Sequence, residues 1–481
     1  MRGLTLLHRW WGIVFCLLFA MWFASGIVMH FVPFPTPGEV DRFAGTAPID
    51  LTHRLHGPAQ AVAASGVDHA LRIRLIQRGD GPIYLVTGPS GERVLRAEGL
   101  GEGEVHSEKQ ALVIGVDYAL RRGLNAANAS VDTISHDQWT VSGEFDSHRP
   151  LFRVTLNDRL GTELYLSSMS GEIVLHTARR ERLLNYFGSV AHWLYMTELR
   201  HHHQAWSQMM WWLSLLALTG SVLGVVLGLV RLCSPTLRVK SPYHGWKAWH
   251  YGFGLVYAPF VLSWIFSGWL SMDDGQLFSV GAMSAETQTI AGKPAWDALL
   301  PDEIQGVREG VKEVEWFALG SRIYRRERTG LDQQRLIRVD AERNLSLPGR
   351  AFLQPDDVNF AVKRLARECT TALAIGVDDN YAINPTMPGA PVFRAICGDD
   401  WFDIDGASGA LLQKLNSSGR AYRWLFSGLH TFNFPALTSR PLLRATIIVA
   451  LCLCGLAFSL TGVVIAWRRL RISVLTGGDR P

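Results

Sequence analysis

His8-Arg9-Trp10-Trp11-Gly12 opens a stretch that runs on to Trp22-Phe23-Ala24-Ser25-Gly26, and its landmarks return later in the chain as His250, Gly254, Trp264, Ser267 and Gly268. The intervals between the five residues are the same both times, which marks an internal repeat. Neither stretch carries an Asp, Glu, Lys or Arg between Trp10 and Gly38 or between Ala248 and Met272, and the same holds from His201 to Val230 and from Ala445 to Trp467. Each run is long enough for the roughly 20 helical residues that cross a hydrocarbon core. Lipid cannot satisfy backbone polar groups, so each is read as a helix. The apolar core of the first, Trp11 to Met29, is too long for a signal peptide and lacks a small-residue cleavage site, so it is read as an anchor.

The second and fourth runs also correspond, through Leu218-Thr219-Gly220 and Leu460-Thr461-Gly462. Each is preceded by a helix-like segment holding His192 or His430, with spacings to the Thr-Gly pair that differ by four residues, about one helical turn. The chain therefore reads as two copies of span, outer domain, span. Copies that start and end on the same side are parallel repeats, related by an axis along the membrane normal.

Composition agrees with a mixed protein. The 481 residues are 48% hydrophobic and 19% charged with a mean hydropathy of +0.10. That excludes disorder, collagen and a small disulfide scaffold, and suggests about three units of roughly 150 residues with a minority of the chain in lipid. The net charge of +4 balances 47 basic against 43 acidic side chains and recommends no nucleic acid partner. Arg2 and Arg9, then Arg231, Arg238, Lys240 and Lys247, then Arg468, Arg469 and Arg471 flank the spans and place both termini and the central loop in the cytoplasm. Many of the tryptophans, Trp22, Trp211, Trp212, Trp246, Trp249 and Trp467 among them, read as interfacial belts.

The expected organisation is a first span over residues 1–30, an outer α+β domain over 31–190, and an outer amphipathic helix with the second span over 191–232. A cytoplasmic loop over 233–247 leads to the third span over 248–272, a second outer domain over 273–420, an outer amphipathic helix with the fourth span over 421–470, and a tail over 471–481. In the first outer segment a helical pattern from Glu108 to Arg122 precedes strands at Leu151–Leu156, Glu163–Ser167 and Glu172–His176. In the second, a helical pattern from Asp356 to Glu368 precedes Val392–Cys397, Trp401–Ile404 and Ala410–Lys414. Cys369 and Cys397 share the second outer segment and would pair if close enough in an oxidising compartment. Cys16, Cys452 and Cys454 lie in spans as small hydrophobes, and Cys233 is a free cytoplasmic thiol.

The repeat sorts the histidines into two matched pairs, His8 with His250 and His192 with His430. A single imidazole at a helix end more often hydrogen-bonds among headgroups, but two repeated pairs suggest two metal centres. Zinc wants four ligands and finds no spacing signature, whereas haem iron wants one or two axial ligands and an apolar site. Paired histidines without thiolates or carboxylates favour b-type haem, held noncovalently since no Cys-x-x-Cys-His occurs. His30, Met272 at its repeat position, the run His201 to His203, and His244 are weaker candidates. Gly12, Gly26, Gly254 and Gly268 read as helix-packing positions that would also admit a flat macrocycle.

These stretches, with the hairpin from Asn157-Asp158-Arg159-Leu160-Gly161-Thr162 to Ser170-Gly171-Glu172, resemble the PepSY-associated transmembrane-helix family over nearly the whole chain. The resemblance implies a bacterial inner-membrane protein with two periplasmic PepSY-like α+β domains, similar to ferric siderophore reductases that carry two b haems. It implies His8, His250, His192 and His430 as axial ligands. The expected activity is electron transfer across the bilayer to a periplasmic ferric siderophore or other oxidised acceptor, in contact with membrane lipid. With no dinucleotide fingerprint in a cytoplasmic segment, the donor is external, a quinol or a cytoplasmic reductase. His136, Trp139, His148, Arg149 and Tyr381 are the expected lining of an acceptor site, Arg149 suiting an anionic chelate. No catalytic acid, base or nucleophile is expected. A cofactor-free PepSY binding or regulatory protein and an accessory permease subunit for iron chelates are the alternatives.

Overall fold

The computed structural model describes residues 2–36, 38–233, 243–272, 277–278, 280–300, 303–339, 349–372 and 379–475. Arg238 and Lys240 of the expected basic loop, and the expected tail beyond residue 475, lie outside them. The described chain divides into two compact units, one of residues 1–34, 181–279 and 420–481, the other of 35–180 and 280–419.

Among the described residues the first unit contains four helices long and apolar enough to cross a membrane: span 1 (Arg2–Phe31), span 2 (His203–Leu232), span 3 (Trp246–Leu270) and span 4 (Pro441–Leu475). Span 1 packs most extensively on span 4, and span 3 on span 2. Phe15, Phe23, Tyr257, Trp264 and Ile448 form the buried centre. Small residues let these rings close on the neighbouring helix. A methyl group on Gly455 would come within 2.5 Å of the Phe23 ring, and one on Gly220 within 2.4 Å of the Trp11 indole. Val14, Leu17, Val256 and Trp467 are exposed on the outside of the bundle, as lipid-facing side chains are. Cys16 and Cys452 are buried as expected, while Cys454 is exposed on span 4.

The second unit is built on three antiparallel sheets. Strands β1 (Arg72–Arg78), β2 (Gly81–Gly88) and β3 (Gly91–Arg96) form one meander. After β4 (Ser130–Ile134), β5 (Leu151–Thr155), β6 (Glu163–Ser167) and β7 (Ile173–Thr177) make a four-stranded sheet in sequence order. The second outer segment repeats this plan, with β8 (Glu313–Leu319), β9 (Arg322–Arg328) and β10 (Gln334–Arg338) before β11 (Thr370–Ala372), β12 (Val392–Cys397), β13 (Asp400–Asp405) and β14 (Leu411–Leu415). The two meanders join edge to edge into one six-stranded sheet of order β10-β9-β8-β1-β2-β3, so the two segments read from sequence as separate domains share their central sheet.

The seam explains why that sheet forms. Strands β1 and β8 pair antiparallel with Arg74 opposite Glu315. On one face Ile73, Leu75, Val314 and Trp316 close a buried apolar core. Alternation sends Arg72, Arg74, Glu313 and Glu315 to the other face. There the Glu313 carboxylate accepts from Arg42 at 2.8 Å, Arg74 at 3.0 Å and Arg328 at 3.1 Å. Glu172 accepts from Arg42 at 3.0 Å and Arg74 at 2.7 Å, and Arg72 pairs with Glu315. Burial alone would raise the Glu313 carboxyl, but Arg42, Arg74 and Arg328 outweigh it and hold it well below the ordinary range. Glu172 is lowered in the same way, against its burial, by Arg74 and Arg42.

The expected strands after each helix agree with the observed ones to within one residue at each end. The helix expected from Glu108 to Arg122 runs Glu108–Arg121, with Ser107 accepting from the Gln110 N–H as its N-cap. The one expected from Asp356 to Glu368 is shorter, Pro355–Val362. Cys369 is bonded to Cys397 and Thr370 pairs with Ile396 of β12, so the chain leaves the helix early to reach that strand.

Candidate functional site

His8 and His250 lie one turn or so inside the beginnings of spans 1 and 3, and the bundle brings their rings to a centre-to-centre distance of 6.5 Å. A metal ion about 2 Å from each of two facing imidazole nitrogens, with roughly 1.1 Å from nitrogen to ring centre, would separate the rings by about 6.2 Å. The two rings are therefore close enough for one metal ion to be held by both. The His250 ring stacks on Phe458, centres 4.8 Å apart, and its Nδ1 is 2.9 Å from Thr461 Oγ1. His8 sits against Gly224, where a Cβ would fall 2.7 Å from its Cε1. Its Nδ1 is buried with no side-chain partner, and the Gly220 backbone lies within hydrogen-bonding influence of the ring.

His192 and His430 are carried by irregular helical segments rather than by spans. The short helix Ser189–His192 follows a break at Gly188. His430 follows a π-helical turn over Arg423–Gly428. Such turns re-aim side chains and are frequent at functional sites. Matched contacts fix both residues. The Trp22 indole N–H donates to the His192 carbonyl at 2.9 Å, and that of Trp264 to the His430 carbonyl at 3.0 Å. Ser25 Oγ is 2.9 Å from His192 Nδ1, and Ser267 Oγ is 3.0 Å from His430 Nδ1. A Cβ on Gly26 or Gly268 would lie 3.9 Å or 3.4 Å from the Cε1 of His192 or His430. The two imidazoles are within electrostatic range of each other.

The bundle thus sets His8 beside His250 at one level and places His192 and His430 near the opposite ends of spans 1 and 3. His8 and Ser25 are 17 residues apart on span 1, as are His250 and Ser267 on span 3, about 26 Å of helix at 1.5 Å per residue. Between them lie Phe23, Tyr257 and Trp264, with Phe23 ring centres 6.2 Å from Tyr257 and 5.8 Å from Trp264. Four imidazoles, glycines against the rings and an apolar surround form a lining that would fit haem.

The weaker candidates scatter. His201, His202, His203 and His244 are exposed, and His30 rests edge-on against Phe31. His136, Trp139, His148 and Arg149 gather on one loop of the second unit. Trp139 is buried there, and His148 Nδ1 lies 3.2 Å from Ser167 Oγ, its burial lowering its pKa against the pull of Glu172. The Arg149 guanidinium donates to the carbonyls of Ser135, Thr140 and Ser142 and to Asp146, so it closes its own loop. Tyr381 packs edge-on against Trp401, 5.5 Å between ring centres, with its carbonyl accepting from Arg394 and Gln413. Glu102, Glu104 and His106 bring ligand atoms within 4.8 Å of one another at the surface.

Ser25, Ser267, Trp22, Trp264 and Thr461 stand out in the sequence only as repeat landmarks, and in the fold they contact the histidines. Their constant offset from the histidines was the signal. The family model described as the PepSY-associated TM region matches residues 5–469. No curated protein matches the chain. The match covers almost the whole length, and the chain belongs to that family.

Proposed function

We propose that this member of the PepSY-associated transmembrane family is an inner-membrane b-type cytochrome that carries electrons outward to reduce a periplasmic acceptor, ferric siderophore iron foremost. The chain would run as two parallel repeats about an axis along the membrane normal, with its basic flanks cytoplasmic and the second unit periplasmic. The observation that supports the reading is the approach of the repeat-related His8 and His250, whose rings lie 6.5 Å apart.

In this reading His8 and His250 would hold one haem iron, and His192 and His430 the other. Haem bound in these layers would supply one-electron chemistry. The chain's own part is to orient and to exclude water. Trp22 and Trp264 pin the carbonyls of His192 and His430, which keeps the irregular segments from relaxing into solvent-exposed turns. Phe15, Phe23, Tyr257 and Trp264 fill the interior between the layers and keep it dry. Reduction suits a chelated ferric substrate because hard oxygen ligands grip Fe(III) better than Fe(II), so one added electron loosens the metal. The electron comes from an external quinol or cytoplasmic reductase.

An optical spectrum of the purified full-length protein, before and after dithionite, tests this. Sharp reduced bands are expected, and His250→Ala should remove or alter one centre while the other persists. Prereduced protein should reoxidise on mixing with a ferric siderophore. A colourless protein, or one whose bands ignore all four histidine substitutions, would overturn the reading.

A further inference from the structure

We propose that Ser25, Ser267 and Thr461 are positioning residues that fix the tautomer of three of the four imidazoles, and that the His8–His250 layer is asymmetric because His8 has no such partner. The consequence for iron rests on the haem reading above; the tautomer assignment does not.

Each hydroxyl has one proton, and each has a carbonyl of its own helix within reach to accept it. Ser25 donates to Met21 O at 2.6 Å, Ser267 to Trp264 O at 3.2 Å and Thr461 to Phe458 O at 2.6 Å. An oxygen whose proton is so committed can only accept from the imidazole beside it. The proton of that contact therefore belongs to Nδ1 of His192, His430 and His250, and the lone pair of each neutral ring lies on Nε2. An N–H held this way fixes the ring and makes the opposite nitrogen a stronger donor.

The two layers differ in this respect. Ser25 and Ser267 sit at matching repeat positions and serve both histidines of one layer. The repeat counterpart of Thr461 is Thr219, but Thr461 is buried whereas Thr219 is exposed and donates to Leu216 O at 2.7 Å. His8 lies instead against Gly224, one turn farther along span 2, with the Gly220 backbone rather than a hydroxyl beside its ring. One layer has two hydroxyl acceptors and the other has one. A stronger nitrogen donor favours ferric over ferrous iron, so removing an acceptor should raise the potential of the centre it serves and leave the other alone.

The test uses full-length protein in detergent with Ser25→Ala, Ser267→Ala and Thr461→Val, and the hydroxyl-retaining Ser25→Thr and Thr461→Ser as rescue. In optical redox titrations each hydroxyl deletion should shift the ferric/ferrous balance of a single centre by up to about tenfold, roughly 59 mV for a one-electron couple, and the retaining variants should stay at the parent value. Nitrogen NMR of histidine-15N-labelled, haem-free protein should show protonated Nδ1 at three histidines and loss of that preference in each deletion. Protonated Nε2 at those three histidines, or unchanged tautomers in the deletion variants, would overturn the assignment. Unchanged potentials in all three deletions would overturn its consequence for iron. If the parent binds no haem, the cytochrome reading fails while the nitrogen spectra still decide the tautomers.

Discussion

Replacing Glu313 by Gln removes the negative charge at the centre of the β1–β8 seam and leaves its shape. Its carboxylate is 2% exposed and accepts from three guanidiniums, those of Arg42, Arg74 and Arg328. Glu172 and Glu39 remain to serve them, but three cations then share two partners inside a sheet interface. Breaking a buried ionic network by deleting one partner costs about 3–5 kcal/mol, or roughly 6–20 °C in melting temperature at 2–4 °C per kcal/mol. The pH dependence follows from the depressed carboxyl. Since the folded pKa lies well below the ordinary 4.5, the carboxylate stabilises the fold above that value and the contribution is lost as pH falls through the folded pKa. The parent should therefore weaken on acidification below about pH 4.5, and the Glu313→Gln protein should show a shallower acid slope. Thermal melts of the full-length protein in detergent, followed by protease resistance of the second unit, measure both. Asp117→Asn is the control, because its pair with Arg121 is exposed on a helix and such pairs contribute about 0.5 kcal/mol or less. A Glu313→Gln protein that melts with the parent and keeps its acid slope would refute the claim that the seam depends on this charge.

Other expectations are as direct. Gly224→Ala pushes a methyl group to 2.7 Å from His8 Cε1, and on the proposed haem reading should perturb the absorbance of the centre at His8 while leaving the other, read by reduced-minus-oxidised spectra. Trp264→Phe keeps an aromatic side chain but loses the indole donor to the His430 carbonyl; it should cost about 1–2 kcal/mol and, on the same reading, broaden the electron paramagnetic resonance signal of the centre at His430 alone. Reducing Cys369–Cys397 opens a loop of 28 residues' separation and should lower stability by about 3 kcal/mol, seen as a lower melting temperature with a reductant that leaves the Cys369→Ala/Cys397→Ala protein unaffected.

What was legible in the sequence followed from signals that survive without partners. An uncharged run reports a span by itself, and the constant interval from His8 to Ser25 and from His250 to Ser267 reported the histidine layers. The hairpins β5–β7 and β12–β14 were visible because glycines punctuate alternating apolar residues. The six-stranded sheet was not. Strand β9 reads Arg-Ile-Tyr-Arg-Arg-Glu-Arg and looks like a solvated charge run, yet six of its seven residues are buried. Its charges are tolerated because Glu303, Glu315, Glu313 and Glu39 arrive from elsewhere in the chain to meet them. The unequal surroundings of His8 and His250 were equally hidden, since they depend on which turn of the facing helix each ring meets.

The pairing of β1 with β8 has a bearing on how the protein is made. Synthesis delivers β1 long before β8, so the first meander must wait on the ribosome's schedule with an open edge, the kind of edge that recruits stray strands. Arg74 can meet Glu172 within the first half, but Arg72 finds Glu315, and Glu313 joins Arg74, only when the later half emerges. Until then Arg72, Arg74 and Arg78 leave that strand strongly positive, and such charge disfavours pairing with a second copy before its own sequel arrives.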